Sequence, residues 1–289
     1  MSPNGSDRSP RRSMRRMLLS ALTLGLVLAT ATGCTSSQLP RLGLPTPRDE
    51  QGKTVLFIWQ SSWIAALAVG VLVWGLILWS VFFHRRSRSK IEVPQQFRYN
   101  MPVEALFTVV PLIMVSVFFF YTARDENYLL KNDKPQHVIN VVGFQWSWAF
   151  NYEHQVDPQK QSSTAGPADG AYDVGTPEAV PTLWLPKGES VEFELTSRDV
   201  IHGFWPVDFL MKMDVIPGVV NKFTVTPTEL GTFRGKCTEL CGVNHSQMLF
   251  NVKVVTPAEY QAHLADLRAK GQSGFAPAGI TTTGVDNAK

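Results

Sequence analysis

The chain has 289 residues, 44% of them hydrophobic and 18% charged, enough for one or two domains. Its formal net charge is +3, but residues 1–33 hold five arginines against one aspartate, and residues 34–289 sum to −1. There is no internal repeat and no nucleic-acid signature, so nucleic acid is not an expected partner.

Arg11, Arg12, Arg15 and Arg16 form a basic head, and Met17 to Thr30 is a mostly apolar stretch. Ala31-Thr32-Gly33 then reads as a small-residue cleavage site, which makes 1–33 a secretory signal. Cys34 comes directly after it. Small residues before a cysteine resemble a bacterial lipobox, in which Cys34 is lipidated and becomes the mature N-terminus. Ala31 stands where such a box more usually has leucine. A simple cleaved signal and an uncleaved anchor are the alternatives.

Residues 34–126 contain two spans. Ile64 to Phe83 is a run of 20 uncharged, mostly apolar residues, and Ala105 to Thr122 an uncharged run of 18. Each fits the ~20 residues that cross a ~30 Å hydrocarbon core. Trp59, Trp63 and Trp79 lie near the ends of the first, where indole rings favour the interface. Pro111 interrupts the second, which leaves a buried soluble helix as the alternative; proline is nonetheless tolerated in membrane helices. The intervening loop carries Arg85, Arg86, Arg88, Lys90 and Arg98 against Glu92 alone. Positive loops stay inside. The first span therefore runs inward and the second returns, placing Cys34 and everything beyond Arg124 outside. A cleaved signal gives the same topology. Glu104 sits at the cytoplasmic mouth of the second span. An ionisable residue there is either a functional group or a snorkelling interfacial carboxylate.

From 135 to 256 the pattern changes to short strands and turns. His137–Val142, Thr182–Pro186, Ser190–Leu195, Lys222–Val225 and Leu249–Val255 read as strands, which predicts a β-sandwich or Greek-key barrel. The segment Gly143 to Tyr152 holds five aromatics in ten positions. Strand alternation would put Trp146 and Trp148 on one face and Gln145 and Ser147 on the other. Residues 155–180, rich in Gly, Pro, Ser, Gln and Asp, read as an exposed insertion. Pro257 to Lys270 predicts an amphipathic helix with Tyr260, Leu264 and Leu267 on one face, and the tail from Gly271 is expected to be disordered. His137, His154 and His263 read as ordinary surface histidines.

The chemistry concentrates in Cys237-Thr238-Glu239-Leu240-Cys241-Gly242-Val243-Asn244-His245-Ser246-Gln247-Met248, with His202 upstream in Asp199-Val200-Ile201-His202. Thiolate, imidazole and thioether are ligands for copper or zinc, not for magnesium or calcium. Two thiolates can bridge two metal ions, each then completed by one histidine and one weak ligand. Two Cys and two His could also close a tetrahedral zinc site, and the cysteines could form a redox disulfide. The histidines are far apart for zinc, and Met248 is of use only to copper. Cys34 aside, no cysteine is left for a structural disulfide.

Cys-Thr-Glu-Leu-Cys-Gly-x-x-His-x-x-Met resembles the copper-A loop of subunit II of the haem–copper cytochrome c oxidases, and the likeness extends over most of the mature chain. It implies a two-helix transmembrane hairpin followed by an extracytoplasmic cupredoxin-like domain in the cell membrane. It implies that Cys237 and Cys241 bridge two coppers, and that His202 and His245 take one each. Met248 and the backbone carbonyl of Glu239 are then the weak ligands. The Glu239 side chain points at a magnesium shared with the catalytic subunit. Trp146 receives electrons from cytochrome c, and Glu104 lies at the entrance of a proton path into the catalytic subunit. Partners are the catalytic subunit I, where the haems sit and oxygen is reduced, and subunit III. The family commonly has tyrosine where Ser147 stands, and Val-Pro-Glu or similar where Pro206-Val207-Asp208 comes after Trp205. The resemblance is to an aa3-type enzyme, and the Arg-rich leader suggests an actinobacterial source. No C-x-x-C-H haem-attachment motif is present, so the electron donor is a separate protein. Outside the positive loop the mature chain sums to −5, a field suited to a basic cytochrome.

Three alternatives are weighed against this. A quinol-oxidase subunit shares the architecture but lacks the copper ligands. Nitrous oxide reductase carries the loop without a membrane hairpin. A membrane-tethered copper chaperone or sensor would exchange its metal readily.

Overall fold

A computed structural model describes residues 18–23, 25, 38–85, 96–131, 135–153, 170–276, 280–281 and 284–285. Cys34, His154, most of the positive loop and residues 155–169 of the insertion lie outside the described residues. The chain divides into two compact units, residues 1–44 and 45–289. In the first, residues 18–23 are helical and Leu39–Arg41 forms one 3-10 turn.

The second unit begins with α1 (Glu50–Phe83) and α2 (Met101–Leu129), both long and apolar enough to cross a membrane. Each outruns the apolar run that announced it, because the caps stand further out than the last uncharged residue. Asp49 caps α1 by accepting from the Gly52 N–H at 3.2 Å. Asn100 caps α2 by accepting from Val103 N–H, and the Glu104 carboxylate accepts in return from Asn100 N–H at 2.9 Å, a reciprocal capping pair. Glu104 thus stabilises its own helix start. Pro111 sits inside α2 without ending it.

Ten strands form a sandwich: β1 (His137–Phe144), β2 (Ser147–Tyr152), β3 (Ala171–Val174), β4 (Thr182–Pro186), β5 (Val191–Ser197), β6 (His202–Pro206), β7 (Met213–Val215), β8 (Asn221–Val225), β9 (Gly231–Cys237) and β10 (Leu249–Val255). One sheet runs β3-β2-β1-β5-β8 and the other β4-β10-β9-β6-β7. The pairs β1/β5 and β4/β10 are parallel and the other pairings antiparallel. The expected sandwich is therefore present. Between the sheets, Phe204 stacks on Phe250 at 4.8 Å, and Trp148 meets each of them edge-on at 5.5 Å. Aromatic pairs of this kind add about 0.5–1.5 kcal/mol each beyond their burial. They hold β2, β6 and β10 together immediately beneath the Cys237–Met248 loop.

The sandwich is bonded to the start of α1. Arg48 N–H donates to the Asp208 carbonyl, Thr228 N–H to the Arg48 carbonyl and Glu50 N–H to the Thr226 carbonyl. Asp49 is fully buried, and that burial raises its carboxyl to about 7.

Four expectations need correction. The insertion is shorter than 155–180, because Ala171–Val174 forms an edge strand on β2. The tail from Gly271 is not wholly disordered. Tyr172 N–H donates to the Gln272 carbonyl, Gly274 N–H to the Gly170 carbonyl, and Ala276 N–H to Asn151 Oδ1, with Ala276 buried. This segment covers the open edge of β3, which would otherwise offer unpaired backbone groups. Ile280–Thr281 also pairs with Gly284–Val285. The helix α3 (Pro257–Ala269) does form, with a capping box from Thr256 to Glu259 and with Tyr260, Leu264 and Leu267 buried.

The remaining corrections are His137 and His263, which are not free surface groups. His263 stacks on Trp184 at 4.1 Å, and burial lowers its pKa to about 4. His137 bridges Glu153 at 2.8 Å and Glu189 at 2.7 Å through its two ring nitrogens. Burial works against its charge, but the two carboxylates win and raise its pKa. A raised folded-state value gives stability that is full below the unfolded value of ~6.5 and is lost as pH climbs through the folded one. His137→Gln should therefore lower the melting temperature measurably at pH 5.5 and much less at pH 9. Equal losses at both pH values would contradict the bridge.

Candidate metal centre

The loop leaves β9 at Cys237 and enters β10 after Met248. Its two ends are tied together by Cys237 N–H donating to the Met248 carbonyl at 3.0 Å. Thr238 N–H donates to the Gly203 carbonyl, which pins the loop to β6. Gly242 has φ +128, and a Cβ there would lie 2.9 Å from Trp146 Nε1, so the turn needs glycine on both counts.

These ties bring the donor atoms together. The Sγ atoms of Cys237 and Cys241 are 3.9 Å apart. His202 Nδ1 lies 3.9 Å from Cys237 Sγ, and His245 Nδ1 lies 3.5 Å from Cys241 Sγ. Met248 Sδ is 3.8 Å from Cys241 Sγ, and the Glu239 carbonyl is 3.3 Å from Cys237 Sγ. The ligand atoms of His202, Cys237 and Cys241 all fall within 4.8 Å of one another. Each cysteine thus has its own histidine, and the two thiols face each other. His202 and Met248 are fully buried and both cysteines nearly so, while Leu240 and Val243 at the loop tip are 85% and 84% exposed. The donors form the inner lining of a loop whose outer side faces solvent.

Electrostatics separates the two thiols. Burial opposes ionisation of Cys237, but His202 and the Gly203 N–H favour the thiolate and bring it down to about 7. Burial and the neighbouring Cys237 push Cys241 up to about 12. A metal cation would favour both sulfurs as thiolates. Soft thiolate, thioether and imidazole donors suit copper. Thioether and carbonyl donors are foreign to a closed zinc site.

Asp199 is a residue the motif alone does not reveal. Its Oδ1 meets His202 Nε2 at 2.8 Å, and its Oδ2 accepts from the Gln145 N–H at 2.7 Å. With Nε2 held, Nδ1 is the atom turned toward Cys237. Gln145 Nε2 and Trp146 Nε1 both donate to the Cys241 carbonyl, at 2.7 and 3.2 Å. A chain of hydrogen bonds thus joins one histidine to the far cysteine through the β1–β2 turn. Trp146 lies in that turn, half-buried, rather than in a strand beside Trp148. Gln145, expected on the opposite face, shares its acceptor. The only sequence signal for Asp199 is its place three residues before His202. Asp199→Asn should lower metal affinity about 10–100-fold, the usual cost of losing such a support. Copper titration of the purified protein would measure it, and unchanged affinity would remove Asp199 from the site.

A buried, sulfur-rich donor cluster on a two-sheet β-sandwich behind two spanning helices defines a membrane-anchored, cupredoxin-like copper protein. The comparisons narrow this. The family model "Cytochrome C oxidase subunit II, periplasmic domain" matches residues 137–255. A probable cytochrome c oxidase subunit 2 of Streptomyces avermitilis is 62% identical over 98% of this chain and 97% of its own length. The cytochrome c oxidase subunit 2 of Mycobacterium tuberculosis is 36% identical over 91% of this chain and 84% of its own. The crystal structure of the subunit II periplasmic domain from Bradyrhizobium japonicum has 27% identity and a TM-score of 0.38, covering 48% of this chain and 97% of that one. The chain belongs to the cytochrome c oxidase subunit 2 family. It is a multi-pass membrane protein with an extracytoplasmic β domain and a copper site, and serves electron transfer in a redox complex with a catalytic subunit.

Proposed function

We propose that the chain is subunit II of an aa3-type cytochrome c oxidase, carrying electrons from a c-type cytochrome to haem in subunit I, where oxygen is reduced to water with proton translocation. Subunit III completes the assembly. The observation that carries this reading is the pair of facing cysteines, each with a histidine within 4 Å. In this proposal Cys237, Cys241, His202, His245, Met248 and the Glu239 carbonyl would hold two copper ions. When bound, the copper pair would supply a one-electron redox centre.

The residues of the chain supply the rest. Trp146 is the proposed site of electron arrival. Its half-exposed indole is one hydrogen bond from the Cys241 carbonyl, which makes the route from surface to ligand loop short. The aromatic core beneath the loop restrains ligand movement between oxidation states. Leu240 and Val243 give the loop an apolar tip suited to a protein neighbour. The Glu239 side chain is proposed to reach a magnesium completed by the catalytic subunit; a carboxylate suits that hard cation. Glu104, at the cytoplasmic end of α2, is proposed as the mouth of the proton path, and Cys34 as a lipid anchor.

Purified from membranes, the oxidase should carry two coppers on this chain. Its EPR spectrum should show hyperfine splitting from one electron shared over two equivalent nuclei. One copper per chain, or zinc in preference, would defeat the dinuclear assignment.

A further inference from the structure

The two spanning helices leave a pair of clefts between them, one above the other. The inner cleft, about 480 Å³, has Ala65, Ala66, Val69 and Gly70 of α1 opposite Met114 and Phe118 of α2. The outer cleft, about 490 Å³, is lined by Lys53, Thr54, Phe57, Arg124, Asp125 and Tyr128. Aromatic residues mark where the bilayer surface falls. Trp59 and Trp63 pack edge-to-face at 5.8 Å on α1, and Phe120 and Tyr121 at 5.5 Å on α2. The amphipathic rings among them, Trp59, Trp63 and Tyr121, settle at the headgroup boundary. The apolar run of α2 ends at Thr122, and Arg124 is two residues, about 3 Å, further out. The inner cleft therefore lies at hydrocarbon depth and the outer one at the level of the phosphates.

We propose that the two clefts together bind one anionic phospholipid of the outer leaflet, its phosphate between Lys53 and Arg124 and an acyl chain in the apolar cleft below. The charges available support this. Arg124 engages Asp125 through Nε and Nη2 and lies over the Tyr121 ring at 4.9 Å, so Nη1 of its five-donor fork is the donor offered to a ligand. Lys53 is bonded to Glu50, yet its side chain is 56% exposed, and that of Arg124 is 53% exposed. Of the two carboxylates that pair with these cations, Asp125 is only 7% exposed and Glu50 is 47% exposed. At Gly70 a Cβ would meet nothing within 4 Å, which leaves room for a chain alongside that helix face. An anionic headgroup near basic side chains at a membrane surface gains from each of them. The proposal rests on the membrane placement of the helices and is independent of the copper assignment.

Native mass spectrometry of the detergent-purified oxidase, exchanged into phosphatidylglycerol or phosphatidylcholine, tests it. Phosphatidylglycerol should stay on this chain and phosphatidylcholine should not. The Lys53→Gln/Arg124→Gln double variant should lose phosphatidylglycerol affinity by about thirtyfold, and Arg124→Lys should keep most of it. Gly70→Leu puts a side chain into the inner cleft from a position where a Cβ meets nothing within 4 Å, and should also release the lipid. An unchanged copper content in each variant establishes that it has folded. The site is refuted if the double variant retains phosphatidylglycerol like the parent, or if phosphatidylcholine binds equally well.

Discussion

Cys241→Ser should leave the protein folded and unable to hold a pair of coppers. Serine has the same shape and is only slightly smaller, so the core beneath the loop is scarcely opened. The Cys241 carbonyl keeps its bonds from Gln145 and Trp146, because those are to the backbone. The side chain is what changes. It stands 3.9 Å from Cys237 Sγ, 3.5 Å from His245 Nδ1 and 3.8 Å from Met248 Sδ, and so addresses three of the other donors. A serine oxygen is a hard, neutral donor that cannot take the place of a bridging thiolate. The expected stability cost is about 1–3 kcal/mol for a buried hydroxyl without a partner, small enough to leave a folded domain by circular dichroism. Copper per chain should fall from two to one or none, the shared-electron EPR pattern should vanish, and cytochrome c oxidation should drop to background. A variant that kept both coppers would show that Cys241 is not a copper ligand.

The metal site is the most legible part of the molecule, because all its donors except His202 are crowded into twelve residues and the spacing itself is chemical information. Strands with β-branched runs, such as His137–Phe144 and Leu249–Val255, can be read from their alternation. Other strands carry less of that signal. In β9, Gly231 and Gly235 interrupt Thr232, Phe233 and Arg234, and β3 is four residues inside a polar stretch. Both are held in place by neighbours: β9 by β10 and β6, and β3 by β2. The parallel β1/β5 and β4/β10 pairings join segments distant in sequence, which no local pattern encodes. Asp199 is hard to read for a related reason. A carboxylate three residues before a histidine is common, and only the fold brings it to Nε2 while turning Nδ1 toward Cys237. The tail looks disordered in sequence because Gly, Ser and Ala give no sign of their acceptors, the edge of β3 and Asn151.

Gly203→Ala should damage the centre without touching a ligand. Gly203 lies between His202 and Phe204 on β6, where the loop crosses closely. A Cβ there would stand 2.1 Å from Thr238 Oγ1, 3.0 Å from the Glu239 nitrogen and 3.2 Å from the Thr238 carbonyl carbon. Two of those three atoms are backbone, and the Thr238 N–H is already bound to the Gly203 carbonyl, so the loop cannot swing away without breaking that bond. Thr238 Oγ1 is itself buried with no partner among the described residues, which leaves the hydroxyl little room to retreat. Overpacking of this kind costs about 1–3 kcal/mol. Here the displaced segment carries Cys237, which also accepts from the Gly203 N–H at 3.5 Å. The expected outcome is a lower melting temperature together with weakened copper retention and an altered visible spectrum. Thr238→Ala removes the nearest of the three clashes. The Gly203→Ala/Thr238→Ala pair should therefore recover part of both losses, a coupling that a double-mutant cycle reads directly. If Gly203→Ala melted and bound copper like the parent, the close crossing of β6 and the loop would not be what fixes the distance between His202 and Cys237.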